Sequence, residues 1–321
     1  MLRSLRKSSS RMKSQCFDKK FFNSFPNSPR IQLPSPMETH LWYVIPNEVK
    51  NETLLNQYME ILSPSEKEMV FQIPEAELRK RALLARALVR TTIARYQINS
   101  QVSPRSLKFM KNVHGKPEVD WQLGENWHPP PLHFNISHTS SLIACGVTIN
   151  SPIGIDVEQK HRTIKHNILS FARRYFSKHE HQVLSAISDP QLQQQEFIKL
   201  WTLKEAYVKA LGRGFSGAPF NTFTVRFRAT TNGSFSGNSV SEVSEIVVDS
   251  FDDTMDLTSN WQFILLELAG THHAAICTKK DCTIEGQHST PKKLMVWKTI
   301  PFVEDKYVSG TEAVMIISGL T

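Results

Sequence analysis

The sequence predicts a mixed α+β fold in which each half of the chain holds one long helix and several strands. Apolar residues recur at helical spacing in residues 75–96 and again in residues 197–212, which indicates two long, largely buried helices. Short apolar runs suited to strands stand before and after each of these helices. The element order suggests two similar halves, although they share no visible sequence identity.

The composition describes a globular protein with an anionic partner. Its 321 residues suffice for one large domain or two of ordinary size, and 40% hydrophobic with 21% charged residues is typical of a folded chain. A net charge of +8 and a pI near 9.3 would suit nucleic acid, phosphate-rich small molecules or acidic proteins. The four cysteines are too sparse for a disulfide scaffold or a zinc site, and no apolar run approaches the length of a membrane span.

Residues 1–36 differ in composition from the rest of the chain. Their basic residues lie among many serines, and Asp18 is the only acid. This pattern matches an organellar transit peptide, and a mitochondrial address is favoured over a plastid one because the arginines begin at the extreme terminus. The alternative is a disordered basic tail that binds polyanions weakly on a cytosolic protein.

The first half, residues 40–150, is expected to form an N-terminal subdomain. Its predicted elements are a strand at 40–45, a helix at 54–62 that ends at Ser63 and Pro64, the long helix at 75–96 and a buried strand at 142–147. A turn holds Lys116 between a glycine and a proline, and residues 121–131 form an irregular loop with three consecutive prolines.

The second half, residues 151–285, is expected to form a C-terminal subdomain with the same kinds of elements. The predicted elements are a strand at 153–158, helices at 164–175, 178–187 and from about 190 to 212, and strands at 222–227, 261–268 and 273–278. Residues 234–253 are predicted to be partly loop. The tail, residues 286–321, has no role that the sequence indicates.

Two carboxylates share one face of the predicted strand at 153–158. Side chains alternate along a strand, so Asp156 and Glu158 point to the same side as Gly154, away from the core face. Two acids in this position repel each other unless a positive charge lies between them. A solvated sheet edge would tolerate the pair, whereas a divalent cation such as Mg²⁺ would need it, and the glycine leaves room for a ligand to approach.

A third acid lies on the long helix of the second half. Glu205 and Lys209 are four residues apart, on a helix face largely opposite the apolar stripe. A pair of this kind is ordinarily a solvated ion pair that contributes little to stability. Its proximity to a second acidic cluster would make it part of a site instead.

Five segments, in this order, resemble the 4′-phosphopantetheinyl transferases, specifically the long monomeric class that activates fatty-acid, polyketide and peptide synthases. The similarity spans roughly residues 40 to 285, and the ordered set is far more specific than any one segment. The segments are Gly115-Lys116-Pro117, Asn135-Ile136-Ser137-His138-Thr139, Gly154-Ile155-Asp156-Val157-Glu158, Arg174-Tyr175-Phe176-Ser177 with Glu180, and Trp201-Thr202-Leu203-Lys204-Glu205-Ala206-Tyr207-Val208-Lys209-Ala210.

The resemblance implies a pseudo-twofold repeat of two similar α/β subdomains with coenzyme A bound in the cleft between them. It implies transfer of 4′-phosphopantetheine from coenzyme A to a serine of apo acyl carrier protein, with release of adenosine 3′,5′-bisphosphate, as in the activation of fatty-acid synthesis. Asp156, Glu158 and Glu205 match the family's Mg²⁺ ligands, and Mn²⁺ would suit the same carboxylates. A monomer with an acidic carrier protein as partner, and with no nucleic acid or membrane, is expected.

The resemblance also assigns the catalytic residues. Lys209 and His138 match residues that contact the phosphates of coenzyme A, and Ser137 lies beside them. Glu205, acting directly or through a metal-bound water, is the expected base for the carrier serine.

The remaining expected contacts to coenzyme A are basic residues. Lys116 matches a lysine that lines the nucleotide site, and Arg81 aligns with an arginine near the 3′-phosphate. Lys67 corresponds to another basic contact there, with its spacing after Pro64 off by one. Lys204 is also expected to contact coenzyme A.

Two rival interpretations remain at this point. A non-catalytic basic binding protein, for RNA for instance, would explain the pI, but much of the basic excess lies in residues 1–36 and the acids cluster in pairs. A pseudo-enzyme would keep the fold and bind carrier protein without turnover. The full set of carboxylates, lysine and histidine argues against it.

Overall fold

The computed structural model of this protein describes residues 30–96, 103–121, 131–230, 243–250, 260–280 and 292–319. Almost all of the predicted transit segment and of the proline-rich loop at 121–131 lies outside these residues, as does the first part of the stretch at 234–253. Within the described residues, no helix is long and apolar enough to cross a membrane.

The first half begins with strand β1 (Glu38–Val44), followed by helices α1 (Glu52–Ile61), α2 (Pro64–Phe71) and α3 (Ala76–Arg95). A short hairpin follows, made of β2 (Lys108–Lys111) and β3 (Pro117–Asp120), and then β4 (Leu132–His138) and β5 (Ile143–Ile149). Strand β5 pairs antiparallel with both β1 and β4, and α3 packs on these strands. A single 3₁₀ turn, Pro46–Glu48, precedes α1.

The second half repeats this order of elements. It contains β6 (Ile153–Gln159), helices α4 (Ile168–Tyr175), α5 (Lys178–Ser185), α6 (Pro190–Leu211) and α7 (Gly214–Gly217), a 3₁₀ turn at Phe220–Thr222, the hairpin β7 (Phe223–Thr230) and β8 (Val243–Ser250), and then β9 (Trp261–Leu268) and β10 (His272–Lys279). Strand β10 pairs antiparallel with β6 and β9, as β5 does with β1 and β4. The α+β fold is therefore confirmed, and the two halves share their order of elements and the pairing of these strands.

A buried ion pair recurs at the same place in each half. Ser63 begins α2 and Ser177 begins α5, and each forms a capping box with a glutamate three residues later. Glu66 then pairs with Arg90 at 2.6 Å, and Glu180 pairs with Lys204 at 2.7 Å, with 24 residues between the partners in both cases. Each pair attaches the long helix of its half to the short capped helix.

Residues predicted to be a tail form strands in both sheets. Strand β11 (Lys293–Ile300) pairs parallel with β1, and β12 (Glu304–Tyr307) adds to its other edge. Strand β13 (Val314–Ile316) pairs with β9 in the second sheet. The indole rings of Trp42 and Trp297 stack at 4.3 Å, which joins β11 to the core of the first half. The boundary expected at residue 285 is therefore not a boundary of the fold.

The two sheets face each other across a shared apolar layer. Their strand orders are β12-β11-β1-β5-β4 and β13-β9-β10-β6, which leaves β4 and β6 as edge strands. One core cluster lies under α3, another lies under α6, and a third lies between the sheets. The third includes Leu41, Tyr43, Leu142, Ile153, Ile155, Val157, Leu266 and Ile276.

Gly154 has a different role from the one predicted for it. A Cβ atom at this position would clash with the backbone of α6, at the carbonyl oxygen of Ala206 and the amide nitrogen of Ala210. Gly154 therefore allows α6 to pack closely on β6, whereas the sequence predicted that it leaves space for a ligand. This close approach brings the residues of α6 directly over the acidic face of β6.

We expect Gly154→Ala to destabilise the protein by about 3 kcal/mol, because the backbone of α6 cannot move aside as a side chain can. Gly146→Ala is the matched control, since the three atoms nearest its Cβ would belong to the side chains of Ile153 and Ile155 and not to backbone, the closest at 2.7 Å, so its loss should be smaller. Urea unfolding of both variants measures the difference. Equal losses would show that α6 does not pack this closely on β6.

Candidate active site

The site lies where the edge strands of the two sheets meet. Asn135 of β4 accepts a hydrogen bond from the amide of Ile155 at 2.9 Å, and Ser137 Oγ accepts one from the amide of Val157 at 3.3 Å. Both side chains belong to one half and bind the backbone of the other. They hold the end of β4 against the acidic strand β6.

Asp156 is at the centre of the site and is 5% exposed. Its Oδ1 accepts hydrogen bonds from Lys209 Nζ at 2.6 Å and from Ser137 Oγ at 2.9 Å. Lys209 Nζ also donates to Ser137 Oγ at 3.1 Å, which closes a three-membered network. Asp156 Oδ2 is buried and has no hydrogen-bond partner among the residues that the structure describes.

Glu158 and Glu205 lie close enough to Asp156 for its negative charge to change their pKa values. Burial raises the pKa of both glutamates above the usual range, and the negative charge of Asp156 raises each pKa further. Arg162 donates to Glu158 Oε1 at 2.6 Å, whereas Glu205 forms no hydrogen bond or ion pair with any described residue. The three carboxylates are therefore partly buried and close enough for their charges to affect one another's pKa.

This donor set fits a hard divalent cation in its chemistry. Carboxylate oxygens are the ligands that Mg²⁺ prefers, Asp156 Oδ2 is buried without a partner, and the mutual repulsion of the acids would be relieved by a cation. In the described part of the chain, however, no three His, Cys, Asp or Glu side chains are close enough together to coordinate a metal. Lys209 provides the counter-charge to Asp156 instead.

Side chains with nitrogen donors line the other side of the site. His138 is the last residue of β4. Partial burial is the largest cause that lowers the pKa of its ring, and the positive charges of Lys209 and Arg81 lower this pKa further. Arg81 of α3 lies within 3.5 Å of the carbonyl oxygen of Ser140. The structure thus brings Lys209, His138 and Arg81 to one edge of the acidic cluster, where they could bind an anion such as a phosphate.

Two of the predicted contacts to coenzyme A lie elsewhere. Lys204 is completely buried, where its Nζ donates to Glu180 Oε1 at 2.7 Å and to the carbonyl oxygen of Phe223 at 2.8 Å. It points away from the site, so the prediction that it contacts coenzyme A is corrected. Lys67 pairs with Glu60 at 3.2 Å, and its described contacts do not include a residue of the site.

The amine of Lys116 contacts backbone next to the site and none of its carboxylates. Its Nζ donates to the carbonyl oxygen of Ile153, at the start of β6, at 2.9 Å, and to that of Ala210, near the end of α6, at 3.4 Å. Its amine thus binds the backbone of the two elements that carry the carboxylates.

Three residues of the site were not found from the sequence. Arg162 pairs with Glu158, Asn135 joins the two edge strands, and His272 binds the turn after His138. His272 Nε2 lies 3.1 Å from Thr139 Oγ1, and burial lowers the pKa of His272 to about 4, so the ring is neutral. The available signals were the spacing of four residues between Glu158 and Arg162 and the place of Asn135 in a segment that carries the family resemblance.

Two family models match the chain. Residues 50–148 match the model described as "4'-phosphopantetheinyl transferase, N-terminal", and residues 152–277 match "4'-phosphopantetheinyl transferase superfamily". The junction between the two matches, at residues 149–151, lies just before β6. The two matched regions correspond to the two halves of the fold.

Curated relatives agree with this assignment. 4'-Phosphopantetheinyl transferase HetI of Nostoc sp. (strain PCC 7120 / SAG 25.82 / UTEX 2576) is 32% identical over 60% of this chain and 75% of its own length. 4'-Phosphopantetheinyl transferase Sfp of Bacillus subtilis (strain 168) is 34% identical over 53% and 68%. The L-aminoadipate-semialdehyde dehydrogenase-phosphopantetheinyl transferase of Mus musculus is 27% identical over 49% and 50%.

These similarities define a transferase with a two-part α+β fold. The chain belongs to the 4′-phosphopantetheinyl transferase superfamily.

Proposed function

We propose that this protein is a holo-[acyl-carrier-protein] synthase, which transfers 4′-phosphopantetheine from coenzyme A to a serine of apo acyl carrier protein. The main support for the proposal is the hydrogen-bond network of Lys209, Asp156 and Ser137, which lies where the two halves meet. Glu158 and Glu205 lie near this network. Family membership supports phosphopantetheine transfer in general. The carrier protein and coenzyme A are the specific part of the proposal.

In the proposed reaction, the serine oxygen of the carrier attacks the phosphorus nearest pantetheine. A new P–O bond forms, the bond to the bridging oxygen breaks, and adenosine 3′,5′-bisphosphate leaves with that oxygen. The serine proton passes to Glu205, whose raised pKa makes it a stronger base than an exposed glutamate. Catalysis of this kind depends mainly on positioning and on stabilising charge.

The nitrogen donors of the site would hold the phosphates. Lys209 and His138 would bind oxygens of the pyrophosphate, and Arg81 would face the 3′-phosphate. Asp156, Glu158 and Glu205 would hold Mg²⁺, and Mn²⁺ would suit the same oxygens. When bound, the cation would supply Lewis-acid stabilisation of the charge on the pyrophosphate.

The acidic limb of the pH profile should reflect Glu205. A base works only when it is deprotonated, so transfer should rise as the pH passes upward through the raised pKa of Glu205. Without a bound cation the pKa of Glu205 lies above its ordinary value, and a cation held by the three carboxylates would lower it. We therefore expect the midpoint of this limb in kcat/KM to fall as the Mg²⁺ concentration is raised. A midpoint that does not change with Mg²⁺ would assign the proton transfer to another group.

Mass spectrometry of the carrier tests the proposed function. Purified protein is incubated with apo acyl carrier protein, coenzyme A and Mg²⁺, and the carrier should gain the mass of one phosphopantetheine group. A pseudo-enzyme would bind the carrier and leave its mass unchanged. A basic binding protein would leave the mass unchanged and retain RNA in a filter-binding assay.

We also propose a mitochondrial location, from the basic and serine-rich composition of residues 1–36. A fluorescent reporter fused behind residues 1–40 should enter mitochondria, and a matched fusion with Arg3, Arg6 and Arg11 replaced by glutamine should not. Plastid import or a diffuse signal from the first fusion would reject this location.

A further inference from the structure

The hairpin β2–β3 of the first half binds the end of α6 in the second half. Asn112 Nδ2 donates to the carbonyl oxygen of Gly212 at 2.9 Å, and Lys116 Nζ lies within 3.4 Å of that of Ala210. Both carbonyls belong to the C-terminal end of the helix, where backbone oxygens lack partners within the helix. A cationic side chain at this end also suits the helix dipole.

The hairpin is shaped for this contact. Asn112 Oδ1 accepts hydrogen bonds from the amides of His114 and Lys116 at 2.9 and 3.0 Å, so one side chain organises the turn and binds the helix. Gly212 has φ = 66°, and a Cβ atom there would lie 3.2 Å from both Asn112 Nδ2 and Lys116 Cδ. Burial lowers the pKa of Lys116, as expected for an amine withdrawn from water.

Lys116 also connects the helix to the acidic strand. Its amine donates to the carbonyl oxygen of Ile153 at the start of β6. It also donates to the carbonyl oxygen of Ala210, which is next to Lys209 on α6. The two elements carry Asp156 and Lys209, whose side chains meet at 2.6 Å. A change in the position of α6 along β6 would alter that distance first.

We propose that Lys116 and Asn112 are positioning residues that set α6 against β6, and that the amine of Lys116 therefore acts through Lys209 and Glu205. The inference rests on the function proposed above. It differs from the role that the family resemblance assigns to Lys116, because the amine is directed at backbone carbonyls of this chain.

Three variants test the inference: Lys116→Met, Asn112→Ala and, as a matched control, Lys111→Met, whose exposed side chain lies on the same hairpin. For each, kcat and KM are measured with coenzyme A and with 3′-dephospho-coenzyme A. Lys116→Met and Asn112→Ala should each lower kcat about tenfold, because small displacements of reacting groups are costly. The preference for coenzyme A over its dephospho form should stay that of the parent, and Lys111→Met should match the parent throughout.

Hydrogen exchange separates this inference from the proposed function. The amides at the end of α6 should exchange faster in both Lys116→Met and Asn112→Ala than in the parent or in Lys111→Met, whether or not transfer is detected. Unchanged exchange, a parent kcat in either variant, or loss of the preference for coenzyme A in Lys116→Met would overturn the positioning role. A parent protein that modifies no carrier would reject the proposed function, and exchange alone would then decide the inference.

Discussion

Asp156→Asn should reduce transfer by about a thousandfold, comparable to the loss of a principal electrostatic contact in an active site. Asp156 Oδ1 accepts charge-assisted hydrogen bonds from Lys209 and Ser137, and an asparagine amide carries no charge to hold the lysine. The change would also remove the carboxylate whose second oxygen is buried without a described partner.

Initial rates of carrier modification measure this effect. The matched control is Glu304→Gln, which removes an exposed carboxylate from β12 and should leave the rate unchanged. Circular dichroism shows whether both variants remain folded. A folded Asp156→Asn variant that works at the parent rate would mean that the reaction takes place elsewhere.

Lys204→Met should destabilise the protein by about 3–5 kcal/mol, because it leaves Glu180 as a buried charge without its partner. Glu180 is 1% exposed and also accepts a hydrogen bond from the amide of Val225, so it cannot turn toward water without breaking the local structure. Lys204 is 4.1 Å from the ring centroid of Phe223, which adds a cation–π contact that methionine would not replace.

Denaturant unfolding distinguishes this buried pair from a surface one. Lys298→Met removes the partner of Glu48, both partners being partly exposed, and should cost no more than about 1 kcal/mol. The double variant Lys204→Met with Glu180→Gln should recover part of the loss, since no buried charge then remains. A stable Lys204→Met variant with a raised KM for coenzyme A would restore the role that the sequence suggested for Lys204.

The periodic elements were predictable from the sequence because their burial pattern is local. The helix expected from about residue 190 to 212 is Pro190–Leu211, capped by Asp189 and ended by Gly212. The strand expected at 153–158 is Ile153–Gln159, with the two acids on one face. The family resemblance also placed Asp156, Glu158 and Glu205 near one another, and the charges of these acids do affect one another's pKa; their role as metal ligands stays a prediction.

The features that were missed depend on contacts between distant segments. Strand β11 exists because it pairs with β1, and nothing in its own sequence indicates that partner. Lys204 could not be separated from Lys209 without knowing that Glu180 lies behind the helix. A glycine within a strand indicates that something approaches closely, but the sequence does not tell whether a ligand or a helix approaches Gly154.

The sequence indicated two similar halves only by element order, and it did not show which residues are equivalent, for a similar reason. The equivalent buried pairs use Arg90 in one half and Lys204 in the other, so the interaction is retained while the residue type differs. Only the pairing of the strands and the spacing of 24 residues show the equivalence.

Calorimetric binding of coenzyme A, with and without Mg²⁺, tests most directly whether the site around Asp156, Glu158 and Glu205 binds the cation and coenzyme A together. In the parent protein, Mg²⁺ should tighten the binding of coenzyme A, and in Asp156→Asn the cation should make no difference. Binding that is independent of Mg²⁺ in the parent, or a Mg²⁺ effect that persists in Asp156→Asn, would contradict the central claim.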